Sequence, residues 1–287
     1  MIGYVAALSC SVGLGLAVAI ARFAFEGGTN GVTVALLRAT LLAVAAGVFC
    51  VVSRRGLRLP WRQWRWCFGL GLLMSVMFYA NIAAVQYIPI GLAALLFFTF
   101  PPLIALGEAG LARRWPAGMQ MLAVAIAFAG LVLMLGVSFE TAHPLGIALS
   151  LSASLATTVN VIGSARVMPR GDRWVMFWHM TVIAALGLLA VALARDAIVL
   201  PTAPGGWAGM IGVAVLQASS IPLFYVAIAH IGPARSAMLT NLQPVVSIVA
   251  AFLLFGEVLS GLQFAGAGLV LGGIFLMQWH DLRQRTR

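Results

Sequence analysis

Apolar residues fill the chain in long runs, and polar residues interrupt them at nearly regular intervals. Ten runs can be marked, at roughly 2–21, 32–53, 66–88, 91–112, 117–137, 145–166, 174–194, 207–229, 234–256 and 261–280. About twenty apolar residues at 1.5 Å each span the roughly 30 Å of a bilayer's hydrocarbon. Barrel strands would instead appear as segments of about ten alternating residues. Chain breakers fall between the runs. Gly27-Gly28-Thr29-Asn30-Gly31 separates the first two, and Pro60, Pro89, Pro116, Pro144, Pro169, Pro201, Pro204 and Pro233 mark later boundaries.

The pattern repeats at long range. Residues 234–277 laid back by 143 positions fall on 91–134 without a gap, with nine identities in forty-four. Pro244 lands on Pro101, Gly261 on Gly118, Gln263 on Gln120 and Gly273 on Gly130. The first three are a helix-bending proline, a hinge glycine and the polar residue after it, and the shift is half the chain. Five spans per copy make the second copy enter from the opposite side. The expected fold is an all-α membrane protein of ten transmembrane helices in two inverted five-helix repeats, residues 1–140 and 141–287. Such repeats are a recurring plan for secondary transporters, with the site between them near the midplane.

Composition agrees. The chain is 62% hydrophobic and 8% charged, against roughly a quarter charged in soluble domains. All seventeen basic residues are arginine and the net charge is +10. In a soluble protein that charge would point to nucleic acid; here the arginines sit in loops and read as topology signals facing lipid headgroups, with no nucleic-acid partner. With the N-terminus inside, fourteen arginines face the cytoplasm and three (Arg22, Arg38 and Arg195) lie toward the outside. Both termini are therefore expected to be cytoplasmic. Residues 2–21 read as a retained first span. Cys10, Cys50 and Cys67 form no disulfide or metal pattern. His143, His179, His230 and His280 are too far apart to predict a catalytic or metal cluster, and no cofactor is implied.

Residues 207–277, with FYVAIAHIGPARSAMLTNLQPV followed by FLLFGEVLSGLQFAGAGLVLGG, resemble the second repeat of the EamA-type drug/metabolite transporters. That repeat carries a tyrosine-bearing helix, a short turn with glycine, a small-residue helix with a mid-span proline, and Gly-Glu before the last helix. Leu37-Arg38 resembles the family's arginine in the second span, and residues 93–101 resemble its fourth helix. Two departures stand out: Arg114 occupies a place usually acidic in the family, and Val12-Gly13-Leu14-Gly15 replaces its Trp-Gly. The resemblance implies ten helices, inner-membrane residence and movement of a small organic solute, often outward.

Polar groups inside spans are the candidate site, because an unpaired one in hydrocarbon is costly. The substrate-binding candidates are Tyr79, Asn81, Asn160, Gln217, Tyr225, Asn241 and Gln243, the last two beside Pro244. For the asparagines and Gln217, interhelical bonding and solute binding stand level; for serine and threonine, interhelical bonding is expected. Phe97, Phe98 and Phe100 offer an apolar wall where the ninth span is polar, which suits an amphipathic or aromatic solute. The gating or coupling candidates are Glu108, Arg38 and Glu257. Arg38 is expected to run outward or to pair with Glu26. Glu108 is expected to lie near the cytoplasmic end, neutralised by Arg113, Arg114 or Arg54. Glu257 reads first as part of a turn before an S-x-x-Q capping box at Ser260–Gln263, and second as an outer gate. Gly268 and Gly272 form a G-x-x-x-G stripe for helix packing or a homodimer contact.

No Walker-type loop is present, so ATP-driven pumping by this chain is not expected. A secondary transporter for a small organic solute is the leading function. A membrane enzyme for lipid or isoprenoid substrates would gather acids and histidines at one face, which this chain does not. A non-transporting accessory protein is the third reading.

Overall fold

The computed structural model describes residues 1–113, 118–136, 143–256 and 260–285, with side chains to residue 279. Among the described residues the regular structure is helical: α1 (Ile2–Glu26), α2 (Gly31–Val52), α3 (Trp61–Ala84), α4 (Ile90–Phe97), α5 (Phe100–Ala112), α6 (Gly118–Leu135), α7 (Pro144–Val167), α8 (Arg173–Ala194), α9 (Pro204–Ile231), α10 (Pro233–Thr240), α11 (Leu242–Phe255) and α12 (Gly261–Arg285), with one 3₁₀ turn at Met168–Arg170. Taken as continuous spans, α4 with α5 and α10 with α11 each cross once, giving ten helices long and apolar enough to span a membrane. Their outer surfaces are apolar: Leu253 is 72% exposed and Phe275 71%. Water would not tolerate so much continuous apolar surface. Arg114 and Glu257 lie outside the described residues.

Local chemistry sets the helix starts. Asn30 caps α2 by accepting from the Thr33 amide at 2.9 Å, and Asp172 caps α8 by accepting from Trp174 and Val175. Proline at the first turn opens α7, α9 and α10, where its missing N–H costs nothing. The expected capping box opens α12: the Ser260 amide donates to Gln263 Oε1 at 2.9 Å, and the Gln263 amide donates to Ser260 Oγ at 3.2 Å.

Packing joins the two halves in exchanged pairs. α1 lies on α9 as α7 lies on α3; α1 also touches α10 and α11, as α7 touches α4 and α5. α2 pairs with α8, and α6 with α12. The last pair shows the exchange at atomic scale. A Cβ added at Gly130 would stand 2.6 Å from the Gly266 carbonyl, and one added at Gly273 would stand 2.7 Å from that of Ala123. The 143-residue shift converts one contact into the other. Gly268 and Gly272 meet nothing within 4 Å, so this intrachain contact uses other glycines than the expected stripe.

The fourth and ninth spans break at matching places. α4 ends with Phe98 as its cap and α10 with Asn241, again 143 residues apart. Pro101 and Pro244 follow within three residues; neither can donate to the carbonyl four positions earlier, so the helix cannot run on unbroken. Two ends of the bundle can now be named: the near face, which carries the N-terminus and the α9–α10 turn, and the far face, where Gly27 meets Gly206.

Candidate functional site

The two broken spans meet unequally. Near the near face α5 packs on α10; toward the far face, among the described residues, α4 and α11 approach one another less closely, with Leu95 of α4 and Val245 of α11 in one buried apolar cluster. A carboxylate fastens the closed side: Glu108 Oε2 accepts a hydrogen bond from the Ala234 amide at 2.8 Å. That amide sits in the first turn of α10, whose N–H groups have no helical partner and whose dipole favours an anion. Glu108 also lines a cavity of about 220 Å³ with Leu111, Ala112, Ile162, Ala165, Arg166 and Pro233. The cations acting on it are Arg166 and Arg235. Sequence pointed instead to Arg113, Arg114 or Arg54; Arg113, the left-handed cap of α5, and Arg54 are not among the cations acting on Glu108, and Arg114 is outside the described residues. Glu257, the other acidic gate candidate, is outside them too.

Midway through the bundle the structure brings Asn160 and Tyr225 together. Tyr225 Oη donates to Asn160 Oδ1 at 2.8 Å, and Asn160 Nδ2 donates to the Leu70 carbonyl at 2.8 Å. One chain of bonds thus joins α9, α7 and α3, with Phe177 of α8 packed against the tyrosine ring at 4.8 Å. Each break is also held by a buried serine that sequence reasoning did not single out. Ser11 of α1 bonds the Leu239 carbonyl at 3.0 Å, and Ser154 of α7 bonds Thr99 Oγ1 at 2.7 Å. Their 143-residue spacing was the available signal.

The remaining candidates are less satisfied. Asn241, at the second break, is 3% exposed; its Nδ2 reaches only the Met238 sulfur at 3.4 Å, and its Oδ1 has no partner. Among the described residues Tyr79, Asn81, Gln217 and Gln243 form no side-chain hydrogen bond, and Gln217 is buried. Phe97, Phe98 and Phe100 do form the expected apolar cluster, with ring centroids 5.2–5.8 Å apart.

In the far half, Arg38 of α2 lies over the Phe78 ring, 4.7 Å from its centroid, and Arg195 lies 5.3 Å from that of Tyr79. Tyr79 and Tyr225, alike in sequence context, therefore have different partners. Glu26, expected beside Arg38, is bonded by Arg22 at 2.7 Å on its own helix. Among the described residues no three His, Cys, Asp or Glu side chains converge as metal ligands.

Ten apolar crossings, two broken at matching midspan positions and clasped through Glu108 on the near side, define a multi-pass membrane protein of the solute-transporter class. The sequence pattern of the EamA-like transporter family matches the chain twice, over residues 1–136 and 144–279, and the chain belongs to that family. An "uncharacterized transporter" of Archaeoglobus fulgidus is 23% identical over 256 residues, 88% of each chain. A second "uncharacterized transporter", from Synechocystis, is 24% identical over 270 residues, 85% of this chain and 81% of that one. A solved crystal structure shares the fold with a TM-score of 0.75 at 20% identity, covering 96% of this chain and 95% of the other.

Proposed function

We propose that this chain is a secondary transporter of the inner membrane that exports or exchanges a small organic solute by alternating access. Its repeats are residues 1–140 and 141–287, inverted about an axis in the membrane plane, and both termini face the cytoplasm. The observation that carries the mechanism is the unequal meeting of the broken spans: α5 is clasped to α10 through Glu108, while α4 and α11 meet less closely and with no such clasp among the described residues. Exchange of the two contacts across the pseudo-two-fold axis would open the near face and close the far one. Asn241 and Gln243 sit where the ninth span breaks, and Tyr79, Asn81 and Gln217 present unbonded polar groups from α3 and α9. Asn160 and Tyr225 complete the candidate set, their bond being one that a solute can replace.

Purified protein in sealed vesicles, given separate pools of amino acids, nucleosides and cationic drugs, tests the function. Carrier-dependent flux of one pool is expected. Chemical turnover of a lipid or isoprenoid without flux of any pool would replace the transporter by a membrane enzyme.

A further inference from the structure

Arg38 is a polar group whose chemistry the chain itself leaves unanswered. It is the eighth residue of α2. Its Nε is buried with no hydrogen-bond partner, and among the described residues its guanidinium has no carboxylate in ion-pairing range. Both ordinary outlets are closed. Glu26 is held by Arg22, and the guanidinium lies over Phe78, a ring only 6% exposed, instead of running out to the far face. A ring face answers the charge of a guanidinium but not its N–H donors, which lie in the guanidinium plane. Stacking of this kind leaves the edge of the fork free, and that edge matches a carboxylate with two parallel N–H···O bonds.

The surroundings extend the same chemistry. Val34 of α2 and Val213 of α9 share one packed cluster. Both helices run from the far face toward the near face, and four residues further along they carry Arg38 and Gln217. A cationic fork and an unbonded amide thus stand one turn deeper on adjacent helices. Ala218 and Ile221 of α9 join Phe78 and Tyr79 of α3 in a second cluster, which gives this corner an apolar side. The other half of the molecule shows what a purely structural residue looks like here. Counted from the helix start the place of Arg38 in α8 falls at Met180, fully buried and apolar, and by the 143-residue shift at Thr181, buried and bonded to the Trp178 carbonyl of its own helix. Filling space between helices does not call for a guanidinium.

We propose that Arg38 reads a carboxylate on the transported solute, with Gln217 as a neutral second contact and the Phe78 corner receiving the solute's apolar part. The proposal rests on the transport function above and names the class of solute that the same site selects.

The test uses acid and amide pairs of equal size on full-length protein in vesicles: L-phenylalanine and L-phenylalaninamide, L-leucine and L-leucinamide, indole-3-acetate and indole-3-acetamide. In the wild type the acid of at least one pair is expected to cross about tenfold faster than its amide. Arg38→Gln should bring that ratio close to one, and Arg38→Lys, which keeps the charge without the planar fork, should retain part of it. Elution profile and melting temperature report whether both variants fold. The wild-type ratio stands as a test even if neither variant does. Acid and amide crossing equally fast overturns the role of Arg38 while transport stands, as does an unchanged ratio in Arg38→Gln. Failure of all six probes to cross overturns the carboxylate assignment; the pooled nucleosides and drugs then decide separately whether transport itself survives.

Discussion

Ser11 and Ser154 hold equivalent places in the two halves, and each ties an unbroken helix to the break in a span of the opposite half. Ser11 reaches the Leu239 carbonyl directly, while Ser154 bonds Thr99, whose hydroxyl in turn donates to the Leu96 carbonyl at 2.7 Å. Leu96 and Leu239 are themselves 143 residues apart. Both serines are fully buried, so each hydroxyl works where no water competes. Interhelical hydrogen bonds in membranes are worth about 0.6 kcal/mol on average and up to about 1.7. Ser11→Ala and Ser154→Ala should each lower stability by an amount in that range, and the double variant should be additive because the two sites share no partner. Thermal unfolding in a fixed detergent measures this; two silent variants would reduce the serines to space-filling.

The α6–α12 contact predicts a sharper loss. At Gly130 and Gly266 each added Cβ would stand 2.6 Å from the other's carbonyl oxygen, backbone that cannot step aside. Gly130→Leu should therefore prevent the pair from closing and cut the yield of folded protein severely. Gly268→Leu and Gly272→Leu, placed where nothing lies within 4 Å, should leave a single chain unaffected. Folded yield after gel filtration separates the two groups. A change in apparent mass confined to the second group would mean that their stripe contacts another copy.

The near-face surface predicts a pH effect. Desolvation pushes the Asp172 carboxyl up, but the hydrogen bond from Arg55, the Val175 and Trp174 amides and the Arg55 charge outweigh it and hold the group below its usual value. Arg55 Nη1 lies 2.6 Å from its Oδ2. A depressed carboxyl stabilises the folded state at pH above its unfolded value of about 3.9, and the contribution disappears as pH falls through the folded value. Melting temperature should thus drop more steeply below about pH 4 in the wild type than in Asp172→Asn, which keeps the cap oxygen but cannot titrate. Parallel curves would remove Asp172 from the acid response.

Helices were more legible in the sequence than their polar partners were. A crossing helix must be apolar over its whole length, so the pattern of runs and breakers located the spans with modest errors; the first runs to Glu26 rather than 21, and the third starts at Trp61 rather than 66. Pro101 and Pro244 pointed to both breaks because a missing N–H acts locally. Asn160 and Tyr225 were both picked out as polar groups needing partners, but nothing in the chain said that they would satisfy one another across 65 residues. Glu108 was expected beside Arg113, Arg114 or Arg54. Its direct partner is the backbone amide of Ala234, a donor that every sequence contains and none displays.

That amide makes two roles for Glu108 separable. If the carboxylate works as a clasp between α5 and α10, Glu108→Gln should keep it, because the amide oxygen can still accept from Ala234, whereas Glu108→Ala should release it. Ala237, fully buried in α10, can carry a reporter cysteine in a background lacking the three native ones. Labelling from the near face should rise severalfold with Glu108→Ala and little with Glu108→Gln. If Glu108 instead couples transport to protons, both variants should lose the response of flux to an imposed pH gradient. Intact gradient-dependent flux in Glu108→Gln would sink the coupling role and leave the clasp.

Asn241 should divide from Asn160 and Tyr225 when function and stability are measured side by side. Tyr225→Phe removes one bond from the brace between α9 and α7, so it should cost about 0.6–1.7 kcal/mol of stability with part of the flux retained. Asn160→Leu loses the bond to the Leu70 carbonyl as well and takes the acceptor away from the Tyr225 hydroxyl, and leaving a buried donor unpaired costs about 1–3 kcal/mol. Asn241 contributes little of this kind, since its only bond is to a sulfur at 3.4 Å and its Oδ1 has no partner. Replacing it with leucine should therefore leave the melting temperature near that of the wild type. Yet in the proposed exchange of far and near contacts the break at Asn241 is the part that moves, and its unpartnered oxygen would then be offered to a solute. Flux should be abolished in Asn241→Leu at normal expression. Flux at the wild-type rate would remove Asn241 from the site and leave Gln243 and Gln217 as the polar groups on that side.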